Sequence, residues 1–282
     1  MSDKTRREFL KSCFRIGGYA GIACLGMGAI EDARGWGILP AIVGSGGSNV
    51  VSWADWPEDD ESTLATADTF CMLFENPSDG GDETGQGSAL TGADLIFTSA
   101  GGAPGMPGAT GSPPSRLLDG TSDYGDLTPA LVNSLLSGKT TYTLCMKINV
   151  GAGYDDIDTF IYFSDGATDA QIQLDIRSTK IRCGLYDLDN GYDGLDTTDA
   201  ITTGSIIYMC VFCDGVATRF GWTVGTKPTK LSDFAAGKIK TATNLYDNFG
   251  TFTTTTLFQI GGRFLPGSAY FFVMSNKCLI TT

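Results

Sequence analysis

The side chains best placed to do chemistry in this sequence are aspartates and tyrosines. Asp187, Asp189, Asn190, Asp193, Asp196 and Asp199 crowd one loop. Calcium is held by oxygen ligands of this kind, and Asp187, Asp189 and Asp193 are the expected ligands if a cation binds. Gly191 stands where an EF-hand loop needs a ligand, so that motif is not formed. A solvated turn selects the same Asp and Gly residues for their backbone geometry. Tyr154, Tyr186 and Tyr192 lie in or beside loops, flanked by Asp and Asn. A tyrosine ring with such neighbours can stack on a sugar ring while the polar groups bond its hydroxyls, and the same ring can simply cover a sandwich edge. These three are the candidate glycan contacts.

What is missing narrows the chemistry. The 282 residues contain no histidine, and the last glutamate is Glu83. Histidine-based acid–base catalysis and histidine-ligated metals are therefore excluded. Glycoside hydrolysis needs two carboxyls, one to protonate the leaving oxygen and one to attack or to activate water. Beyond Glu83 only aspartates could supply both. The two acidic clusters, Asp155 to Asp158 and Asp187 to Asp199, sit in hydrophilic, glycine-rich stretches. Water there would keep them ionised and leave no proton donor near neutral pH. No catalytic residue is assigned, and binding without turnover is expected. Cys210 and Cys213 form Cys-x-x-Cys, but in a strand pattern with no second pair or histidine nearby, which suits neither zinc nor redox chemistry. With Cys71, Cys145, Cys183 and Cys278 they read as buried thiols acting as small hydrophobes, and spacing assigns no disulfide partners. The net charge of −13 opposes binding to nucleic acid and to an anionic membrane surface.

These residues need a scaffold, and the pattern around them is all-β. Ile206 to Phe212 is a continuous apolar run of β-formers, as in a strand covered on both faces. Asp214-Gly215 reads as the positive-φ pair of a tight hairpin turn. The return strand alternates, with Val216, Thr218, Phe220, Trp222 and Val224 on the face assigned to the core. Tyr142, Leu144, Met146 and Ile148 also alternate. Ile172, Leu174 and Ile176 alternate with Gln171, Gln173, Asp175 and Arg177, one face buried and one wet. Further strands are expected at 70–74, 95–97, 159–163, 181–185, 257–262 and 269–274, a helical turn at 132–136, and an extended surface loop over 101–114. Strands about every ten residues with turn signals between them predict an antiparallel sandwich or jelly roll.

Three segments carry a family resemblance. Leu118-Asp119-Gly120-Thr121-Ser122-Asp123-Tyr124-Gly125-Asp126-Leu127 resembles the F-D-G-x-x-D-Y-V-x-L strand of laminin-G-like, concanavalin A-like domains. Phe212-Cys213-Asp214-Gly215 through Val224-Gly225 resembles their hairpin with its D-G turn, although the usual asparagine before the last glycine is absent. Leu257-Phe258-Gln259-Ile260-Gly261-Gly262, then Phe264 and Pro266-Gly267, resembles their L-x-I-G-G ending. The resemblance covers about residues 68–282 and implies a two-sheet antiparallel jelly-roll sandwich of the concanavalin A-like lectin type. That fold hosts lectins, adhesion modules and glycosidases, so it implies binding or structural roles only loosely; some of its members hold calcium.

Residues 1–34 stand apart. Six Lys/Arg against four Asp/Glu in residues 1–35 give way to thirteen against twenty-eight in the remainder, a basic head on an acidic body. Thr5-Arg6-Arg7-Glu8-Phe9-Leu10-Lys11 is followed by the uncharged, Gly/Ala-rich stretch Ile16 to Ile30. This resembles a twin-arginine export signal, with Arg6, Arg7, Phe9 and Leu10 as the address, although no clean Ala-x-Ala cleavage site follows. Residues 35–67 read as a connector of partial order in which Trp53 and Trp56 tuck against the body. Two functions fit. One is an exported, non-enzymatic β-sandwich that binds glycans or protein partners at the cell surface or envelope. The other is a structural subunit of a larger particle, such as a phage virion or surface appendage, assembled through residues 1–67. Replacing both Arg6 and Arg7 with Lys is expected to hold the protein in the cytoplasm; fractionation that finds the double variant exported as before would remove the targeting assignment.

Overall fold

The computed structural model describes residues 51–58, 60–74, 82–83, 95–98, 108–109, 115–166, 170–261 and 263–282. Arg6, Arg7, Phe9 and Leu10 lie outside the described residues, as does most of the stretch 101–114. A short helix α1 (Glu61–Leu64) leads into β1 (Thr69–Leu73), β2 (Asp82–Glu83), β3 (Leu95–Thr98), β4 (Gly108–Ala109), β5 (Ser115–Asp119) and β6 (Tyr124–Leu127). Helix α2 (Pro129–Leu136) precedes β7 (Tyr142–Val150), β8 (Thr159–Ser164), β9 (Ala170–Arg177) and β10 (Lys180–Asp187). Then come β11 (Gly191–Ala200), β12 (Ile206–Cys213), β13 (Thr218–Val224) and β14 (Ile239–Thr241). The described strands end with β15 (Thr254–Leu257), β16 (Gln259–Ile260), β17 (Arg263–Phe264) and β18 (Pro266–Ser275).

These strands build the jelly-roll sandwich that the alternation implies. Sheet A runs β14-β13-β12-β7-β18-β5-β4, with β1 also on β18; sheet B runs β11-β10-β9-β8-β15-β6-β3-β2. Strand β18 pairs with β7 along one edge, and along the other with β5 through its first half and β1 through its second. Between the sheets, Tyr142, Leu144, Met146 and Ile148 of β7 and Ile207, Met209 and Val211 of β12 belong to one core with Ile172, Leu174 and Ile176 of β9. Tyr246, Phe249 and Phe252, from a segment with no strand of its own, join that core; Phe249 sits 5.3 Å from Tyr142 and Phe252 6.0 Å from Phe163, ring to ring.

Strand β5 lies in sheet A and β6 in sheet B, so Asp119 to Asp123 is a corner where the chain changes sheets. Asp119 Oδ1 accepts hydrogen bonds from the backbone N–H of Thr121 (2.7 Å), Ser122 (2.8 Å) and Asp123 (3.2 Å), and its Oδ2 accepts from both hydroxyls. Asp123 answers through Oδ2, which accepts from Asp119 N–H at 2.9 Å. The aspartates of this motif therefore fold a corner.

Strand β12 is buried over Ile207 to Cys213, and its two faces meet different partners. Tyr208, Cys210 and Phe212 point away from sheet B into a second core with Trp53, Trp56, Leu64, Phe234, Phe271 and Ile280. Residues 51–64 thus strap the outer face of sheet A. Trp53 stacks on Trp56 at 5.7 Å and donates its indole N–H to Pro228 O at 2.7 Å, and Trp56 meets the edge of Phe271 at 5.0 Å. Beneath them, Glu58 Oε2 accepts from Lys147 Nζ at 2.8 Å and from the Tyr208 hydroxyl at 3.0 Å.

Several local expectations are corrected. The hairpin loop has four residues, 214–217, and only its Gly215 takes positive φ (+83°). Asp214 acts instead through its carboxylate, whose Oδ1 accepts from Val216 and Ala217 N–H at 2.8 Å each, an Asx-type turn. Phe220 and Trp222 are buried as expected, but Val216 lies in the hairpin loop and is 84% exposed, and Val224, the last residue of β13, is 39% exposed. Val132 to Leu136 extends into the eight-residue helix α2. The stretch 101–114 contributes the short strand β4, paired with β5. The 257–262 segment breaks at Phe258, which has φ +67°, into β15 and β16. Cys145 and Cys210 face each other across β7 and β12 and are joined by a disulfide, while Cys71, Cys183 and Cys213 are buried thiols.

The corner has a pH signature. Burial raises the Asp119 carboxyl, but the hydrogen bonds from Thr121 and Ser122 outweigh it and hold the group well below the usual carboxylate range. A carboxyl lowered by folding stabilises above its unfolded pKa of about 3.9, and that stabilisation fades as pH falls toward the folded value. Asp119→Ala is therefore expected to cost about 1–2 kcal/mol at pH 7, the usual range for losing such a cap, with the gap to wild type closing below about pH 4. Thermal melts of both proteins from neutral to acid pH check this; a gap that widens in acid contradicts it.

Candidate functional site

Sheet A is covered on both faces, so the outer face of sheet B is where strand side chains reach solvent in number. Alternation about the buried Ile172, Leu174 and Ile176 turns Gln173, Asp175 and Arg177 of β9 outward, and the same rule turns out Arg182, Gly184 and Tyr186 of β10 and Tyr192, Gly194 and Asp196 of β11. Register then decides who meets whom. Arg182 lies opposite Asp175 on one side and Asp196 on the other; Gly184 lies between Gln173 and Gly194; Tyr186 lies opposite Tyr192.

Asp175 is the hub. Arg182 grips it with two nitrogens, Nε to Oδ1 at 3.1 Å and Nη2 to Oδ2 at 2.7 Å. Arg177 Nε and Gln173 Nε2 also donate to Oδ2, at 3.1 and 2.7 Å. The Asp175 side chain is 0% exposed, against 18% for Arg182 and 36% for Arg177. The face expected to be wet is therefore closed at Asp175, where Arg182 and Arg177 lie against the carboxylate, and Gln171 is buried as well. Burial pushes the Asp175 carboxyl up against the pull of Arg182 and Arg177. Burial also opposes the Arg182 charge, but the hydrogen bonds and charge of Asp175 outweigh it and hold the guanidinium protonated.

Beside this network lies Tyr192, 54% exposed. A Cβ added at Gly184 would come within 3.0 Å of the Tyr192 ring, and one added at Gly194 within 3.3 Å of its hydroxyl. The two glycines thus form a bed in which the ring lies across β10 and β11. What results is a flat aromatic surface beside a rigid row of hydrogen-bonding groups, suited to binding a ligand that has both apolar and hydroxyl faces.

The other expected residues fare differently. Tyr186 is half-buried on the same face as Tyr192. Tyr154 is half-buried and packs against the inner core, so it is not part of this surface. The three aspartates proposed for calcium do not act together. Asp187 Oδ1 accepts from Asp189 and Asn190 N–H, Asp189 Oδ2 accepts from Asn248 Nδ2, and Asp193 Oδ2 accepts from Thr243 N–H. Among the described residues no group of three His, Cys, Asp or Glu is placed to hold a metal. Nor do these aspartates crowd one loop, since Asp193, Asp196 and Asp199 belong to edge strand β11. A charged, glycine-rich edge strand resists pairing with other chains, which is why its composition hides it. Asp158, expected in water, is 4% exposed; burial pushes its carboxyl up, and its Oδ2 accepts from Asp155 N–H at 2.7 Å. Cys210 and Cys213 point to opposite faces of sheet A, and burial pushes the Cys71 and Cys183 thiols up, away from reactivity.

No protein family matches the chain, and no curated protein matches it in sequence. Solved structures similar to it include domain 4 of AbnA, a GH43 extracellular arabinanase from Geobacillus stearothermophilus, in complex with arabinotriose: 12% identity over 75% of this chain and 95% of that one, TM-score 0.49. The CBM40 of the Ruminococcus gnavus IT-sialidase, bound to α2,3 sialyllactose, aligns over 58% of this chain and 90% of its own at 12% identity, TM-score 0.45. The K499G mutant of NanB sialidase from Streptococcus pneumoniae aligns at 14% identity and TM-score 0.43 over 58% of this chain, which spans 26% of the NanB chain. These are likenesses of fold.

Removing the hub tests the network. Asp175→Ala leaves two guanidiniums without their shared carboxylate and is expected to destabilise the protein by about 2–4 kcal/mol, below the top of the range for a fully buried pair because both arginines are partly exposed. Urea unfolding measures it; a loss under about 0.5 kcal/mol, typical of surface changes, would show that the network holds nothing in place.

Proposed function

We propose that the chain is an exported, non-enzymatic β-sandwich that binds glycan on the outer face of sheet B. The observation that carries this reading is the exposed Tyr192 ring bedded on Gly184 and Gly194. A sugar presents C–H groups on one face and hydroxyls around its rim; the ring meets the first, and the partly exposed Arg182 and Arg177 guanidiniums, held in place by Asp175, meet the second. The absence of turnover is proposed from the same geometry. Asp175, the buried carboxylate of this face, is committed to Arg182, Arg177 and Gln173 and has no free position from which to deliver a proton to a leaving oxygen. Export rests on the Thr5 to Lys11 motif; among the described residues no helix is long and apolar enough to cross a membrane.

The test is retention on a panel of immobilised polysaccharides, followed by assay for released reducing ends. Wild type is expected to be retained by at least one member without release. Tyr192→Ala should fold, since Tyr192 lies on the outer face at 54% exposure and outside the core, and lose at least tenfold in affinity, about 1.4 kcal/mol. Failure to bind any polysaccharide, or binding indifferent to Tyr192→Ala, would reject the assignment, and steady release of reducing ends would reject the non-enzymatic part.

A further inference from the structure

We infer that this face takes a linear, uncharged glycan chain laid across the strands, rather than one terminal sugar; the inference rests on the glycan-binding reading above. It comes from strand register. Gly194 lies opposite Gly184, Gly184 opposite Gln173, Gln173 opposite Tyr162, Tyr162 opposite Thr256, and Thr256 opposite Asp126. These six positions form one straight row perpendicular to β11, β10, β9, β8, β15 and β6. The Tyr192 ring lies in that row, because it covers Gly184 and Gly194. Tyr162 is the β8 position of the row; its neighbours Ile161 and Phe163 are in the inner core, so its own side chain turns outward.

Two tyrosine rings therefore stand in line with Gln173 between them. Strands lie about 4.8 Å apart, so Gly184 and Tyr162 are separated by roughly 10 Å and the row from Gly184 to Asp126 runs about 19 Å. A single sugar cannot use both rings; a chain crossing the strands can. Past Tyr162 the row stays polar but is largely covered at Thr256, which is 7% exposed and donates its hydroxyl to Asp126 Oδ1 at 3.2 Å, so the two rings mark the open part of the track. Alongside it runs the row Asp196, Arg182, Asp175, Thr159, of which Asp196 and Arg182 reach solvent and border the track while Asp175 and Thr159 are buried. With Arg177, and with Asp126 of the track itself, two guanidiniums stand against three carboxylates. No positive excess is left to attract an acidic sugar, and the chain as a whole carries −13. An uncharged chain is the occupant this balance fits.

The experiment is calorimetric titration of the full chain with neutral gluco- and xylo-oligosaccharides of one to six units, and with acidic oligogalacturonides of the same lengths. Affinity for a neutral series should rise at least tenfold from the single sugar to the trimer or tetramer and then level off. Tyr192→Ala should weaken every length, whereas Tyr162→Ala should weaken only the longer oligomers and leave the shortest bound ligand unchanged. The length dependence is read on wild type, so it stands even if a variant folds poorly. Binding that is equally strong at all lengths, or weakened equally at all lengths by Tyr162→Ala, overturns the extended track while leaving glycan binding in place. Preference for the acidic series overturns the uncharged ligand. Binding of no oligomer, together with no retention on the polysaccharide panel, overturns both readings.

Discussion

Apolar side chains on both faces of a strand stay out of water only if something covers each face, and β12 carries such side chains from Ile207 to Cys213. Sheet B covers one face. Among the described residues no further sheet packs on the other, and the chain supplies separate pieces: the strap with Trp53 and Trp56, Phe234 beside the turn Leu231–Asp233, and Ile280. Each large side chain buried there contributes about 1.5–3 kcal/mol, so this second core is a principal reason for residues 51–64 to be ordered. What reads as a connector is held down by the demands of a strand some 150 residues later, the separation between Glu58 and Tyr208.

The strap is also positioned by charge. Glu58 takes hydrogen bonds from Lys147 and Tyr208, and Lys227 donates to Trp56 O at 2.6 Å while lying 5.0 Å from the Trp53 ring centroid. Burial pushes the Lys227 ammonium down, with Glu58 pulling the other way. A hydrophobic surface tolerates many placements of two tryptophans; a half-buried carboxylate that must find two particular donors tolerates few. The polar contacts thus select one register for a segment that apolar burial alone would hold loosely.

Closing sheet A on both sides has a consequence for sheet B. Its inner face is committed to the core, and its outer face, carrying the alternate residues of β9, β10 and β11, is left to solvent. An open sheet face needs polar groups, and polar groups brought side by side at strand spacing pair with one another. Asp175 with Arg182 and Arg177 is that pairing. The gap left by Gly184 and Gly194 within the same surface is filled by the ring of Tyr192. The site is therefore a by-product of two facts: which sheet is covered, and where the glycines fall.

Much of the fold was legible from local pattern. Alternation in β7, β9 and β13 and the apolar run of β12 report burial directly, because side-chain direction repeats every two residues whatever the partner strand. Tyr192 was legible as an aromatic among polar neighbours. Other features were not. Strand β11 has the composition of a turn and is a strand only because β10 offers it an edge. Leu118 to Leu127 resembled one strand, but the structure breaks it into the end of β5, a corner folded by Asp119, and β6, because the two strands belong to different sheets. Asp175 and Arg182, seven residues apart, and Tyr162 and Gln173, on neighbouring strands, carry no local sign that they meet. By itself the sequence determined which apolar residues of β7, β9 and β12 go to the core, and that residues after Glu83 carry neither histidine nor glutamate. Only the tertiary structure decided which polar residues share a face, because cross-strand register is set by long-range pairing and no spacing along the chain encodes it.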